Sequence, residues 1–351
     1  MNIGYACLTV GVFGVKQRTC IIKNATPDIL MSLIQSNLAA LDKIIDYNIK
    51  NNIRLFRISS GIIPFGSHQI NTLNWWEIFG NQLKEIGNKA LCGGIRLSMH
   101  PGQYTVLNSP NNAVVERAVD DLKYHAMFLD ALGLGTEHKI ILHIGGVYDD
   151  KAAAARRFIF QYRRLNNNIK NRLVIENDDR HYNISDVLSI GLSEDIPVVF
   201  DILHHKVNTD NMRSLEEWIL SCKNTWKTED GAQKIHYSQQ EKDKRQGSHS
   251  ATLNAYDFSQ FYNNLPVKDA DIMLEVKDKN LSAIKYINAI STPKIQRLEE
   301  EWARYKYKVL EHSPKAYNLI RQLLKEKSSY PFAEFYKLID EALNTPIIPS
   351  N

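Results

Sequence analysis

The 351-residue chain has only four cysteines, Cys7, Cys20, Cys92 and Cys222. They are too few and too scattered for a disulfide scaffold. No two stand in CxxC spacing, which excludes a zinc ribbon and leaves reduced thiols in a cytosol-like compartment as the expectation. No apolar run approaches the roughly 20 residues of a membrane span. The N-terminus shows no basic region followed by an apolar core, so neither a secretory leader nor a membrane partner is expected, and the chain reads as cytoplasmic. Gly11 and Gly14 do not form a GxGxxG loop, and no P-loop occurs. No internal repeat or low-complexity segment stands out. Neither sign of charge dominates: 43 Lys and Arg face 39 Asp and Glu, for a net +4. That balance permits a polyanionic partner without requiring one.

What is present is a regular alternation. The chain is 44% hydrophobic and 23% charged, ordinary for a globular protein. Residues 196–205, Ile-Pro-Val-Val-Phe-Asp-Ile-Leu-His-His, begin as a short β-branched run, the pattern of a strand buried on both faces. Similar strands are expected at 2–9, 53–59, 94–99, 138–142, 173–175, 233–237 and 271–274. Helical stretches fall between them, at 26–50, 75–90, 112–132, 149–167, 185–193, 215–226 and 256–265, with a last one at 280–289. Thr26-Pro27-Asp28 is a helix start with a capping hydroxyl, Pro at the first position and an acid. Eight strand–helix units in under 300 residues predict an α/β fold, a closed (β/α)8 TIM barrel. An open doubly wound sheet ranks below it for want of the phosphate loop. The expected division is a barrel domain at 1–292 and an extension of added helices at 293–351, packed on the barrel, with helical segments near 296–308 and 314–327 and a proline-bearing end.

The polar residues fall at the ends of the strands. Tyr5, His100, His143, Glu176, Asp201, His236 and Glu275 terminate proposed strands, and His68, His204, His205 and His249 follow in loops. The C-terminal end of a barrel is where active sites form. One buried imidazole is ordinary packing; this many, interleaved with three carboxylates, point to a polynuclear metal site. Glu176, Asp201 and Glu275 supply three negative charges, so two divalent ions would leave the site near +1 and three near +3. Either excess suits a phosphodiester, whose negative charge grows in the transition state. Bound metals also lower the pKa of water and stabilise a leaving oxygen.

These residues stand in segments that resemble the UV damage endonucleases, DNA-repair enzymes with a TIM barrel related to that of endonuclease IV. The segments are 98–104 (SMHPGQY), 142–146 (LHIGG), 174–179 (VIENDD), 200–205 (FDILHH), 234–238 (KIHYS), 247–250 (GSHS) and 273–277 (MLEVK), in order across residues 1–290. The resemblance implies three divalent metals, manganese favoured with zinc, cobalt or magnesium as other options. It implies their ligands as His68, His100, His143, Glu176, Asp201, His204, His236, Glu275 and a carboxylated Lys234, beside the reading of Lys234 as a plain inward lysine. It gives Glu176, Lys234 and His249 the catalytic roles, His249 near the scissile phosphate. It makes Gln103 and Tyr104 the pair that probes the duplex and fills the gap left by an extruded lesion, and Tyr5 a lining residue of the lesion pocket. An aromatic face in that gap would replace lost base stacking. After Tyr5 the sequence departs from the family, with Cys7-Leu8-Thr9 where relatives often carry an asparagine. Lys16, Arg18, Arg57, Arg180 and Lys206 are further cations able to meet phosphates.

The expected activity is therefore ATP-independent, metal-dependent nicking of damaged double-stranded DNA on the 5′ side of cyclobutane dimers and 6-4 photoproducts, extending to abasic sites, by a monomer. The alternatives are an abasic-site endonuclease of the endonuclease IV type, a metal-dependent sugar isomerase, and a non-catalytic damage-binding module.

Overall fold

The computed structural model describes residues 1–289 and 295–344. Eight strands, each parallel to its neighbours, close into a barrel in chain order: β1 (Ile3–Ala6), β2 (Leu55–Ile58), β3 (Arg96–Met99), β4 (Lys139–His143), β5 (Leu173–Glu176), β6 (Val198–Asp201), β7 (Lys234–Tyr237) and β8 (Asp271–Leu274). The last pairs with the first through Tyr5 and Leu274. The (β/α)8 architecture is the predicted one. Most strands are shorter than predicted, because the sequence pattern runs on into turns. Cys7, one residue past β1, adopts φ 67° and ends the ladder.

The intervening helices follow local chemistry. Pro27–Lys50 starts where predicted, with the Thr26 hydroxyl accepting from the Ile29 amide. Its buried stripe is Leu30, Ile34, Leu38, Leu41, Ile44 and Ile45. Ile29, next to that stripe in sequence, faces solvent. The helical stretch at 75–90 divides into Trp75–Ile78 and Gly80–Cys92, with Phe79 at the break. Residues 196–205 are not one strand with a polar loop. The strand stops at Asp201, whose carboxylate accepts from the His204 amide at 2.7 Å and caps a short helix, Ile202–Val207.

Strand alternation sets the interior. His143 pairs in register with Glu176, and Asp201 with His236, so these four point into the barrel from neighbouring strands. Two residues earlier on the same face stand Ile141, Val174 and Val199, which cluster with Trp226. Lys234 is two residues before His236 and therefore one layer beneath it. At the opposite end Arg96 pairs with Asp271 at 2.9 Å and donates to the carbonyls of Asp230 and Ala232, both at 2.6 Å. Lys139 reaches Asp230 at 2.5 Å.

The chain forms two compact units, Met1–Ala251 with Pro266–Asn280, and Thr252–Leu265 with Leu281–Asn351. The first holds the barrel strands. The second groups the helix Ala255–Asn264 with Ile295–His312, Pro314–Glu326 and Phe332–Leu343. Within it Trp302 packs on Tyr317, and the Tyr336 hydroxyl donates to Glu301 at 2.9 Å. The helix Phe332–Leu343 was not predicted, although Phe332, Phe335, Tyr336 and Ile339 carry its period. The expected boundary between 292 and 293 and the proline-bearing end at 345–351 lie outside the described residues. Among the described residues no helix is long and apolar enough to cross a membrane.

Candidate metal centre

Glu176 closes β5 at the open end of the barrel and is 1% exposed. His236 Nδ1 stands 2.5 Å from its Oε1, and His100 Nε2 and His143 Nε2 stand 3.1 and 3.5 Å from its Oε2. Burial alone would raise this carboxyl, but the imidazoles of His236, His143 and His100 outweigh it and hold Glu176 well below the usual carboxylate range. Glu275, one residue past β8, lies 3.2 Å from His236 Nδ1 and is paired with Arg57 from β2. Burial opposes its ionisation, yet Arg57 and His236 lower it.

Asp201 is fully buried, and its carboxyl is pushed up by burial against the pull of His204, with Glu176 and Glu275 adding to the rise. His204 Nδ1 donates to the Asn177 carbonyl at 2.9 Å. Burial works against charging His204, but Asp201, Glu176 and Glu275 bring its pKa up to about 9. His143 goes the other way, down to about 4, because burial is reinforced by His100 and His204 and only partly offset by Glu176.

Two groups of side chains, His100–His143–Glu176 and Glu176–Asp201–His236, bring their ligand atoms within 4.8 Å of one another. Asp201 Oδ2, His236 Nε2 and His143 Nδ1 are buried with no hydrogen-bond partner. Orphaned buried polar atoms are costly. Acidic and imidazole groups with free ligand atoms at such spacing are placed to hold a metal ion. Lys234 Nζ belongs with these orphans. It is wholly buried and unpartnered, and burial, then Arg96, Arg57 and Lys139, push its amine well below the ordinary lysine range.

The remaining predicted residues scatter more widely. The His249 imidazole stands at the rim, 3.9 Å from Glu275 Oε2, with its ring 6.3 Å from that of His204. His68 is exposed on the loop after β2, where its Nδ1 accepts from the Ile70 amide at 3.0 Å, and it joins neither ligand group. Gln103 and Tyr104 project from the loop after β3, and Tyr104 is 70% exposed. A Cβ on Gly102 would run into the Tyr104 ring and push it aside. Tyr104 and His68 line one cavity of about 760 Å3, and Gln103, His143 and His204 line another of about 430 Å3.

Three expectations need correction. Tyr5 does not face the barrel mouth. Alternation on β1 turns it outward, where it is fully buried against Phe56 and its hydroxyl donates to Asn48 Oδ1 at 2.9 Å. His205 is buried against Phe200 and joins neither ligand group. Arg57 is buried in its pairing with Glu275 and is not a surface cation for phosphates. Sequence reasoning passed over Asn177. Its side chain brackets the Asp201 backbone, accepting from the amide at 2.9 Å and donating to the carbonyl at 3.0 Å. Its position directly after Glu176 was the available signal.

Known proteins resemble this chain to different depths. The family model described as UV-endonuclease UvdE matches residues 1–306. The UV DNA damage endonuclease of Clostridium perfringens (strain 13 / Type A) is 42% identical over 351 residues, covering 99% of this chain and 84% of that protein. The crystal structure of SacUVDE is 38% identical, with a TM-score of 0.78 over 86% of this chain and 99% of that one. Endonuclease IV from Thermus thermophilus shares the fold alone, at 12% identity and a TM-score of 0.53 over 86% of this chain and 100% of that one.

Proposed function

The chain belongs to the UV-endonuclease UvdE family, and from that premise we propose that it nicks the damaged strand of duplex DNA on the 5′ side of UV photoproducts, in a metal-dependent and ATP-independent reaction. It is a DNA-repair endonuclease for UV damage. The observation that carries the finer reading is the Glu176 carboxylate, buried and met by imidazoles from three strand ends, with the orphaned Asp201 Oδ2 and His236 Nε2 beside it.

Three divalent ions, manganese favoured, would be held by His68, His100, His143, Glu176, Asp201, His204, His236 and Glu275, with Lys234 as a further ligand if carboxylated. Such ions supply activation of water and neutralisation of phosphate charge. The protein's own groups do the rest. Asn177 fixes the His204 ring and the Asp201 backbone. Arg57 keeps Glu275 ionised. His249, at the rim, is within reach of a phosphate and can donate a hydrogen bond to it. Gln103 and Tyr104 enter the duplex, where a tyrosine face offsets the unstacking cost of a displaced lesion. Selectivity then follows from local distortion, since damaged steps cost less to open.

The test is a duplex with one thymine dimer, end-labelled, incubated with metal-loaded protein and resolved beside an abasic duplex. One nick 5′ to the dimer is expected, reduced on the order of 10²-fold or more by Glu176→Gln. Binding without a nick under several divalent metals would sink the catalytic reading, and cleavage confined to the abasic duplex would reassign the substrate.

A further inference from the structure

Asp121 lies outside the candidate centre, on the helix Asn112–Ala131, and is 5% exposed. Both oxygens of its carboxylate are used, and by different loops. Thr105 Oγ1, directly after Gln103 and Tyr104, donates to Oδ2 at 2.6 Å. Ser67 Oγ, directly before His68, donates to Oδ1 at 2.9 Å. The next turn of the helix holds the same two loops at a second point. His125 Nδ1 donates to the Asp121 carbonyl at 2.6 Å, and its Nε2 lies 2.9 Å from Ser60 Oγ. Ser60 Oγ also lies 2.6 Å from the His100 carbonyl, and its one proton is shared between these two acceptors.

Thr105 is 2% exposed and His125 is fully buried, so water does not compete for their bonds, whereas Ser67 is exposed and its bond is the weaker of the two arms. A hydroxyl bonded to an ionised carboxylate in such surroundings is stronger than a neutral pair. Neither loop has a helix or strand at this point, and their backbone restraints are local, such as the His68 amide on the Phe65 carbonyl at 3.0 Å and the Thr105 amide on the Gly102 carbonyl at 2.9 Å.

We propose that Asp121 is a positioning residue whose single carboxylate holds the Gln103–Tyr104 loop and the His68 loop at a fixed separation. The inference rests on the reading of those loops as duplex probe and metal-ligand arm. Its consequence is a shared reference point: the Tyr104 loop and the His68 loop are each anchored to one carboxylate, which sets their spacing, and each is released separately when its own hydroxyl is removed.

Three variants of the full chain separate the two arms. Thr105→Val frees only the probe loop, Ser67→Ala frees only the His68 loop, and Asp121→Asn weakens both. Amide hydrogen exchange needs no DNA and no metal, and so survives any failure of the functional reading. It is expected to quicken at 101–106 in Thr105→Val, at 66–70 in Ser67→Ala, and at both in Asp121→Asn. On the dimer duplex, Thr105→Val should raise KM several-fold with kcat and metal content held. Ser67→Ala should lower the metal content of the purified protein with KM held. Unchanged exchange in both loops of a folded Asp121→Asn would overturn the proposal. So would single variants that loosen both loops alike, which is the mark of general destabilisation.

Discussion

Tyr104 and Lys234 are opposites as residues. Tyr104 is 70% exposed and stabilises little in the free protein. Tyr104→Ala should therefore leave the melting temperature unchanged while weakening binding to the dimer duplex roughly tenfold or more, the worth of one lost stacking face. Tyr104→Phe should bind as the parent does. Titration of the duplex by fluorescence anisotropy decides it. Lys234 has no exposure and a depressed, unpartnered amine. An amine held neutral is a nucleophile towards carbon dioxide, and the resulting carbamate would supply the oxygen ligands the centre needs. Lys234→Met should fold with equal or greater stability, because a desolvated amine gives way to an apolar chain of similar length, and should lose nicking. Native mass spectrometry of the parent should find one added carbon dioxide, absent in the variant. A Lys234→Met protein with full activity would dismiss the carbamate.

At the scale of elements, Asp201 does two things at once. It ends β6 and caps the helix Ile202–Val207. Asp201→Asn retains the acceptor oxygen and should keep stability while lowering metal affinity. Asp201→Ala should lose both, with about 1 kcal/mol from the cap alone. Chemical denaturation and metal titration of the two variants test this. The same stretch marks the limit of what the sequence discloses. The β-branched run, the strand ends and the carboxylate–imidazole pattern were legible, because period-2 alternation and burial leave a direct trace in composition. The turn from strand to helix at Asp201 was not, because an aspartate caps a helix or ends a strand with equal ease. The outward rotation of Tyr5 was missed for a related reason. Assigning a strand end without its register leaves the face undetermined, and a one-residue shift reverses it. Asp121 left no trace at all, since its partners Ser67 and Thr105 are 54 and 16 residues away.

The whole molecule carries two further expectations. His138 sits at the start of β4, where Nδ1 accepts from the Leu97 amide at 2.9 Å and Nε2 lies 3.3 Å from Glu137. Burial, with Arg96, Lys234 and Arg172, lowers it to about 3. The imidazole is neutral in the folded chain and gains a proton on unfolding below pH 6.5. Stability should thus fall as pH drops from 6.5 towards 3, by about 1.4 kcal/mol per unit from this residue. Urea denaturation across that range should show a shallower slope in His138→Asn. Chelation should act on the centre in a similar way. If the proposed ions partner Asp201 Oδ2 and His236 Nε2, which have no hydrogen-bond partner in the protein, stripping them should lower the melting temperature by a few degrees. Barrel closure has a last consequence, in time. The strands pair in chain order, and Glu275 follows β8, the one that completes the ring. A nascent chain still short of that point has Arg57 without its counter-ion and His236 without its second carboxylate. The blade is fitted last: Glu275 enters the centre only when synthesis of the barrel is all but finished.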